Sequence, residues 1–244
     1  MNWTQAPGFA AAFLASLVEC VEAATILLAV GMVRGWRSAL LGAGAALLLL
    51  AALVVVLGPA IAALPERGLQ LAVGLLLLLF GMRWLRKAML RMAGAIPLHD
   101  EDAVFRSEAA NLRLARASAR WGLDPIAAAS AGKAVLLEGL EVVFIVLALA
   151  AGSPARLAAA SAGAALAALM IAAIAAALHR PLARVPENTL KFAVGVLISA
   201  FGIFWTGEGL GLAWPGGDLA LLPLVAALAA VGLGGARLAM AEAR

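Results

Sequence analysis

The sequence is poor in charged residues and almost without cysteine. Only 13% of its 244 residues are charged, whereas 65% are hydrophobic, and its mean hydropathy is +1.03. Soluble domains of this length do not have such a composition, so the scarcity of charge excludes them and predicts membrane helices. Cys20 is the single cysteine, which excludes an internal disulfide and a cysteine cluster.

The sequence also lacks the motifs of common enzymes. It has no nucleotide-binding loop, no HExxH zinc motif and no GxSxG nucleophile motif. Its two histidines, His99 and His179, fall at or outside the ends of predicted membrane spans, where solvation explains them more simply than metal binding. We therefore expect a protein that is not an enzyme and holds no tight cofactor. A regulatory metal site at His99, Asp100 and Asp102 is an open alternative.

Long apolar runs predict seven transmembrane helices, because about 20 helical residues cross the hydrocarbon core of a bilayer. The expected fold class is an all-α integral membrane protein. The first run is too long, and its start has too little positive charge, for a cleavable signal peptide. The predicted spans are 8–33, 38–64, 69–85, 126–151, 157–178, 190–207 and 219–239.

Basic residues predict the orientation of these spans. They gather after the first, third and fifth spans and at the C-terminal end, whereas the opposite connections hold little beyond Arg67 and Arg156. The N-terminus is therefore expected outside and the C-terminus in the cytoplasm, in the inner (plasma) membrane of a bacterium. Topology and an anionic lipid surface explain the net charge of +4, so nucleic acid is not an expected partner. The basic residues on the expected cytoplasmic side are Arg34, Arg37, Arg86, Lys87, Arg91, Arg106, Arg113, Arg116, Arg120, Arg180, Arg184, Arg237 and Arg244.

A unit of three spans occurs twice in the chain. Around the first and fourth spans the copies match at an offset of 119 residues, and residues 65–84 match 186–205 at an offset of 121 with 10 identities in 20. The change of offset predicts a longer loop between the second and third spans of the second copy. Because three is odd, the copies enter the membrane from opposite sides and form inverted repeats. The expected units are repeat A (1–93), a cytoplasmic linker with room for a surface helix (94–124), repeat B (125–212) and a seventh span (213–244).

Two pairs of glutamates lie in the middle of predicted spans: Glu19 and Glu22 in the first, and Glu138 and Glu141 in the fourth. Residues three apart share one face of a helix, so each pair points to one place inside the bundle. An ionisable group at membrane depth costs about 2.5 to 3.5 kcal/mol, which makes four of them a functional-site hypothesis. The inverted repeat then predicts one four-glutamate site at the midplane.

Four carboxylates in an apolar interior cannot all be ionised without a countercharge. Oxygen ligands suit hard or borderline cations such as calcium, manganese, magnesium or iron, and protons compete with metal for the same oxygens. We therefore expect a secondary transporter of metal cations that is coupled to protons. A structural membrane protein, whose protonated glutamates hydrogen-bond between helices, is an open alternative.

The second glutamate pair also carries a family resemblance. Glu138-Gly139-Leu140-Glu141 resembles the E-G-x-E part of the R-E-G-x-E motif of FTR1-type iron permeases, seven-span proteins in which both three-span repeats carry such a motif. Val18 and Leu137 stand where that motif has Arg, and Cys20 stands where the first copy would have Gly. A weaker resemblance is to the cation/proton exchangers of the UPF0016 type, whose E-x-G-D-K/R-T/S motif occurs in inverted repeats. Both resemblances imply metal transport.

Four further residues are secondary candidates. Glu208, in a glycine-rich segment, offers either a cation access point or a solvated loop acid. Lys133 offers a countercharge to the glutamates or reaches the cytoplasmic interface. Cys20 is a soft ligand or a small apolar filler, and the Thr25 hydroxyl serves the site or its own helix backbone.

Glycines and tryptophans are assigned to the scaffold. Gly74, Gly81, Gly195 and Gly202 should let their helices approach closely. The tryptophans near predicted span ends are expected as interface anchors, namely Trp36, Trp84, Trp121, Trp205 and Trp214.

The expected partners are the lipid bilayer, a transported iron, manganese or calcium ion, and protons. A homo-oligomer and an extracytoplasmic metal-delivery partner remain open. A LysE-like exporter is the alternative within transport, in which the carboxylates would bind the ammonium group of a small cationic solute.

Overall fold

In the computed structural model the described part of the chain is almost entirely helical. The structure describes residues 6–62, 65–115, 123–150, 154–178 and 187–242. Most helix bounds lie within a few residues of the predicted span ends, and a short 3-10 turn precedes the last helix. The helices are α1 (Ala6–Arg34), α2 (Trp36–Ala62), α3 (Glu66–Met92), α4 (Glu101–Leu114), α5 (Pro125–Ala150), α6 (Pro154–Leu178), α7 (Glu187–Gly209) and α8 (Leu221–Glu242).

Six of the described helices are long and apolar enough to cross a membrane, as expected of an all-α integral membrane protein. They are α1, α2, α3, α6, α7 and α8. The remaining long helix, α5, has 26 residues, but every stretch of 18 residues in it includes Lys133, Glu138 and Glu141. The fourth predicted span therefore depends on how these three charges are neutralised.

Some residues named from the sequence lie outside the described ranges. These are Arg116, Arg120, Trp121, His179, Arg180, Arg184 and Arg244, together with the ends of the second and fourth predicted spans.

Helix α3 runs seven residues beyond the predicted end of the third span, to Met92. Its last two turns are basic, and the hydropathy pattern therefore predicts that the span ends before them. The helix continues because Arg91 is buried in an ion pair with Glu187 of α7, at an N–O distance of 2.9 Å. This extension carries the basic end of α3 to the side of the bundle where α7 begins.

Helices α3 and α7 cross at glycines, which confirms the expected close approach. A Cβ atom at Gly81 would lie 2.6 Å from the backbone nitrogen of Ser199, and one at Gly195 would lie 2.9 Å from that of Leu85. Real Cβ atoms do not approach so closely. Only glycine lets the two backbones meet here, and this contact fixes α7 beside α3.

The other half of the bundle is built around α1 and α5. Helix α1 packs against α6 and α5, and α5 packs in turn against α2. Helix α4 of the linker does not lie free on the surface, since it packs on α1 with Ala109 and Leu112 buried. Helix α1 is thus enclosed by α4, α5 and α6.

Candidate cation site

Three of the four predicted site glutamates come together in the bundle. Carboxylate oxygens of Glu19, Glu22 and Glu138 all lie within 4.8 Å of one another. Glu19 is 1% exposed, and its side chain contacts that of Glu138 across the α1–α5 interface. Two carboxyl groups in contact repel each other unless a proton or a cation lies between them. The arrangement can therefore hold a cation.

Glu141, the fourth predicted ligand, is not part of this group. The indole Nε1 of Trp84 donates to Glu141 Oε2 at 3.2 Å, and Arg83 lies 3.4 Å from the other oxygen. Trp84 is buried, and a buried indole N–H needs an acceptor, which Glu141 supplies. The expected four-glutamate site is thus a three-glutamate cluster with a fourth carboxylate turned towards α3. It also follows that Trp84 is not an interface anchor.

A buried lysine completes the cluster, and the sequence did not reveal its role. The Nζ atom of Lys191 on α7 donates to Glu22 and lies 3.7 Å from Glu19 Oε1 and 3.4 Å from Glu187 Oε1. Its side chain is 5% exposed, and Nζ stands 5.7 Å from the ring centroid of Trp84. The ammonium is therefore the countercharge that a buried carboxylate cluster requires.

Lys133, the countercharge expected from the sequence, has a different position. It is exposed and forms no ion pair with another described residue. It lines a separate cavity of 810 Å³ between α2 and α5. The sequence places Lys191 at the start of a predicted span. A lysine there usually extends its ammonium to the membrane interface, so its position alone did not indicate a place in the cluster.

The ion network continues from Lys191 towards the linker. His99 Nε2 lies 3.1 Å from Glu101 and 3.3 Å from Glu187, while Arg91 contacts His99 Nδ1 at 3.2 Å. The adjacent Glu101 carboxylate, helped by the charge of Glu187, raises the pKa of His99 above its ordinary value. His99 is therefore not simply solvated, as its position outside the spans had suggested.

The regulatory metal site considered for the linker does not form as proposed. Asp100 caps α4 by accepting from the backbone nitrogen of Ala103 at 3.1 Å, and lies 3.8 Å from Arg106. His99 instead lies within 4.8 Å of oxygens of Glu22 and Glu187. The cations Arg91 and Lys191 already neutralise those two carboxylates, so this second group is an ion-pair network.

A cavity of 290 Å³ opens beside the three-glutamate cluster. It lies among α1, α2, α5 and α6, and its wall is apolar apart from Glu19, Glu138 and the half-buried Cys20. A small cation in this space would meet two carboxylates and little other polar surface. Cys20 borders the cavity and is no part of the oxygen cluster.

The other secondary candidates are Thr25 and Glu208. The Thr25 side chain is fully buried on α1, and its Oγ1 has no hydrogen-bond partner among the described residues. Glu208 accepts from Gln70 Nε2 at 3.1 Å. It follows Lys191 by 17 residues on α7, which places it about 25 Å farther along the helix. Glu208 is therefore no ligand of this site.

Comparison of the chain with protein-family models, with curated proteins and with solved structures found no match. The function has to be inferred from the chemistry of the carboxylates and of Lys191.

Proposed function

We propose that this protein is a secondary transporter of metal cations of the iron, manganese or calcium class. Glu19, Glu22 and Glu138 are the proposed ligands. The observation that carries the proposal is their convergence, since carboxylate oxygens from two helices lie within 4.8 Å of one another in an apolar bundle. Oxygen-rich sites bind hard and borderline cations, and a buried one needs a cation to be stable.

The charge of the cluster supports a divalent ion. Three ionised carboxylates and one lysine sum to −2, which one divalent cation neutralises. When the ion leaves, the same charge in an apolar interior requires protons instead. Coupling of metal movement to protons follows from this balance.

Paired helix contacts support the proposed inverted duplication. A Cβ atom at Gly81 would lie 2.6 Å from Ser199 N, and one at Gly202 would lie 2.5 Å from Leu78 N. Adding 121 to the residue numbers on α3, and subtracting 121 on α7, turns the first contact into the second. Such exchange is what a twofold axis between two copies produces.

A second set of contacts supports the duplication and refines its register. Gly42 of α2 approaches the carbonyl oxygen of Ala128 on α5, and Gly163 of α6 approaches that of Phe9 on α1. Phe9 and Ala128 are 119 residues apart, whereas Gly42 and Gly163 are 121 apart. These contacts favour a two-residue insertion between the first and second helices of repeat B, rather than in the loop after the second.

In the proposed orientation the N-terminus is outside and the C-terminus is cytoplasmic, with α8 beyond two three-helix repeats. Rocking of one repeat against the other would expose the midplane carboxylates to each side in turn. The network of Arg91, His99 and Glu187 would then lie on the cytoplasmic side of the site.

A second candidate is a LysE-like exporter of a small organic cation. One observation favours it: the carboxylates already accommodate an ammonium group, that of Lys191. The adjacent 290 Å³ cavity is near the lower end of ligand-pocket volumes, about 300 Å³.

Equilibrium binding to the purified protein in lipid nanodiscs separates these functions. Mn²⁺, anaerobic Fe²⁺, Ca²⁺ and a set of alkylammonium and amino-acid cations would be titrated at two pH values. We expect saturable binding of a divalent metal that is lost in Glu138→Gln and kept in Glu208→Gln, whose carboxylate lies outside the site. Binding of organic cations alone would favour the exporter, and no cation binding at all would favour a structural role.

A further inference from the structure

Lys191 occupies the space that a bound cation needs. Its Nζ atom donates to Glu22 and lies 3.7 Å from Glu19 Oε1. Oxygen ligands lie about 2 to 2.6 Å from metals of the proposed class. An ion held by Glu19 and Glu22 would therefore collide with the ammonium, and their positive charges would repel.

The structure also provides a place to which Lys191 can move. Glu187 lies one turn earlier on α7, and its Oε1 is 3.4 Å from Nζ. A rotation of the Lys191 side chain would break its contact with Glu22 and keep its contact with Glu187. Arg91 donates to the same carboxylate at 2.9 Å, so Glu187 stays fixed while the lysine moves.

The position that matches Lys191 in repeat A has no charge. That position, 121 residues earlier, is Gln70, whose amide donates to Glu208 at 3.1 Å. A glutamine can hold a carboxylate at an α3–α7 contact without a cation. The charge of Lys191 therefore serves the glutamate cluster rather than the packing of the two helices.

We propose that Lys191 is a tethered cation that fills the carboxylate site of the empty transporter and is displaced by the incoming substrate cation. The inference rests on the proposed function and adds the competitor that sets the affinity. With Lys191 in place the empty site is partly neutralised. A substrate cation binds only when it can replace the ammonium.

Mn²⁺ titration of purified variants in nanodiscs tests this. Lys191→Gln installs the residue found at position 70, and Lys191→Ala removes the side chain. We expect apparent Mn²⁺ affinity to rise by about tenfold in both, because a competitor multiplies the apparent affinity by the fraction of protein that it leaves unoccupied, here about one tenth. Lys133→Gln is the matched control, since it removes an exposed positive charge that pairs with no described carboxylate, and its affinity should equal that of the parent.

Chemical replacement gives a readout that a purely structural lysine would not affect. Propylammonium should enter the space vacated in Lys191→Ala and lower its Mn²⁺ affinity towards the parental value, while leaving the parent unchanged. If the parent binds Mn²⁺, and the folded Lys191→Gln or Lys191→Ala protein binds it no more tightly than the parent does, the inference is overturned. If neither the parent nor these variants bound Mn²⁺, the proposed metal transport itself would be wrong.

Discussion

The two ends of the α3–α7 pair differ in charge although their backbones meet in the same way. At one end Lys191 lies among Glu19, Glu22 and Glu187, whereas at the other Gln70 donates to Glu208. Matching glycine contacts hold both ends together. The packing of the two helices is therefore alike at both ends, whereas the buried cluster of charges lies at only one of them.

The two glutamate pairs show the same division. Glu19 and Glu22 both belong to the cluster, but only Glu138 of the second pair does so, because Trp84 holds Glu141. An E-x-x-E spacing places two carboxylates on one helix face. The neighbouring helix then decides which of them join the cluster.

Removing a ligand of the cluster should have the largest effect. Glu19→Gln and Glu138→Gln keep the side-chain shape but remove a charge that the ion needs. We expect a loss of about 100-fold or more in Mn²⁺ affinity, since even indirect partners of a metal contribute 10- to 100-fold. Transport of ⁵⁴Mn²⁺ into proteoliposomes and binding in nanodiscs would measure it, with folding checked by thermal unfolding. Parental affinity in both variants would make the carboxylates structural.

Substitution at the helix crossing tests the shared half of the comparison. Gly74→Ala and Gly195→Ala should each lower the free energy of unfolding by about 1 to 3 kcal/mol, because the new Cβ atoms would overlap backbone atoms of the facing helix. Gly44→Ala is the control, since no heavy atom of a facing helix lies within 4 Å of the position that its Cβ would occupy, and it should be neutral or stabilising. If only one of the two crossing glycines tolerated alanine, the contacts at the two ends would not be equivalent.

Asp124 fixes the start of α5. It accepts from Arg34 Nε at 2.6 Å and from the backbone nitrogens of Ile126 and Ala127 at the start of α5. Asp124→Ala should cost about 1 to 2 kcal/mol of stability, as expected for the loss of a helix cap. Thermal unfolding of the two proteins at neutral pH measures this cost.

The contribution of Asp124 should also depend on pH in a defined direction. The hydrogen bond from Arg34 lowers the pKa of Asp124 below its ordinary value. A lowered folded-state pKa stabilises the fold above the unfolded-state pKa, and this stabilisation is lost as pH falls through the folded-state value. The difference between parent and Asp124→Ala should therefore shrink in acid. A difference that grew in acid would contradict the ion pair.

Glu141→Gln should have the smallest effect. Its carboxylate does not contact the proposed ion, since Trp84 and Arg83 hold it outside the cluster. We expect Mn²⁺ affinity to fall by no more than about fivefold, the equivalent of one ordinary hydrogen bond. The same titration used for Glu138→Gln decides the matter. A loss equal to that of Glu138→Gln would mean that Glu141 is a ligand as well.

Features that depend on local periodicity were predictable from the sequence. Apolar length predicted the helices, i,i+3 spacing predicted that Glu19 and Glu22 would point to one place, and the glycine pattern predicted helix surfaces that allow close approach. Each of these patterns lies within a single helix. They do not depend on which side chains of other helices face them.

Partners from distant parts of the chain were not predictable in this way. Lys191 and Glu22 are 169 residues apart, and no spacing rule connects them. Trp84 was assigned to the interface because the predicted third span ended at Leu85, whereas α3 continues to Met92 around the buried Arg91. The pairing of Glu141 with Trp84 was missed for the same reason.

Flux of ⁵⁴Mn²⁺ into proteoliposomes with and without an imposed pH gradient tests the central claim most directly. Parent, Glu138→Gln and Glu208→Gln would be compared at equal protein density and orientation. We expect the gradient to drive Mn²⁺ movement in the parent and in Glu208→Gln, and no movement above empty liposomes in Glu138→Gln. Equal flux in all three proteins, or flux in none, would contradict transport through the glutamate cluster.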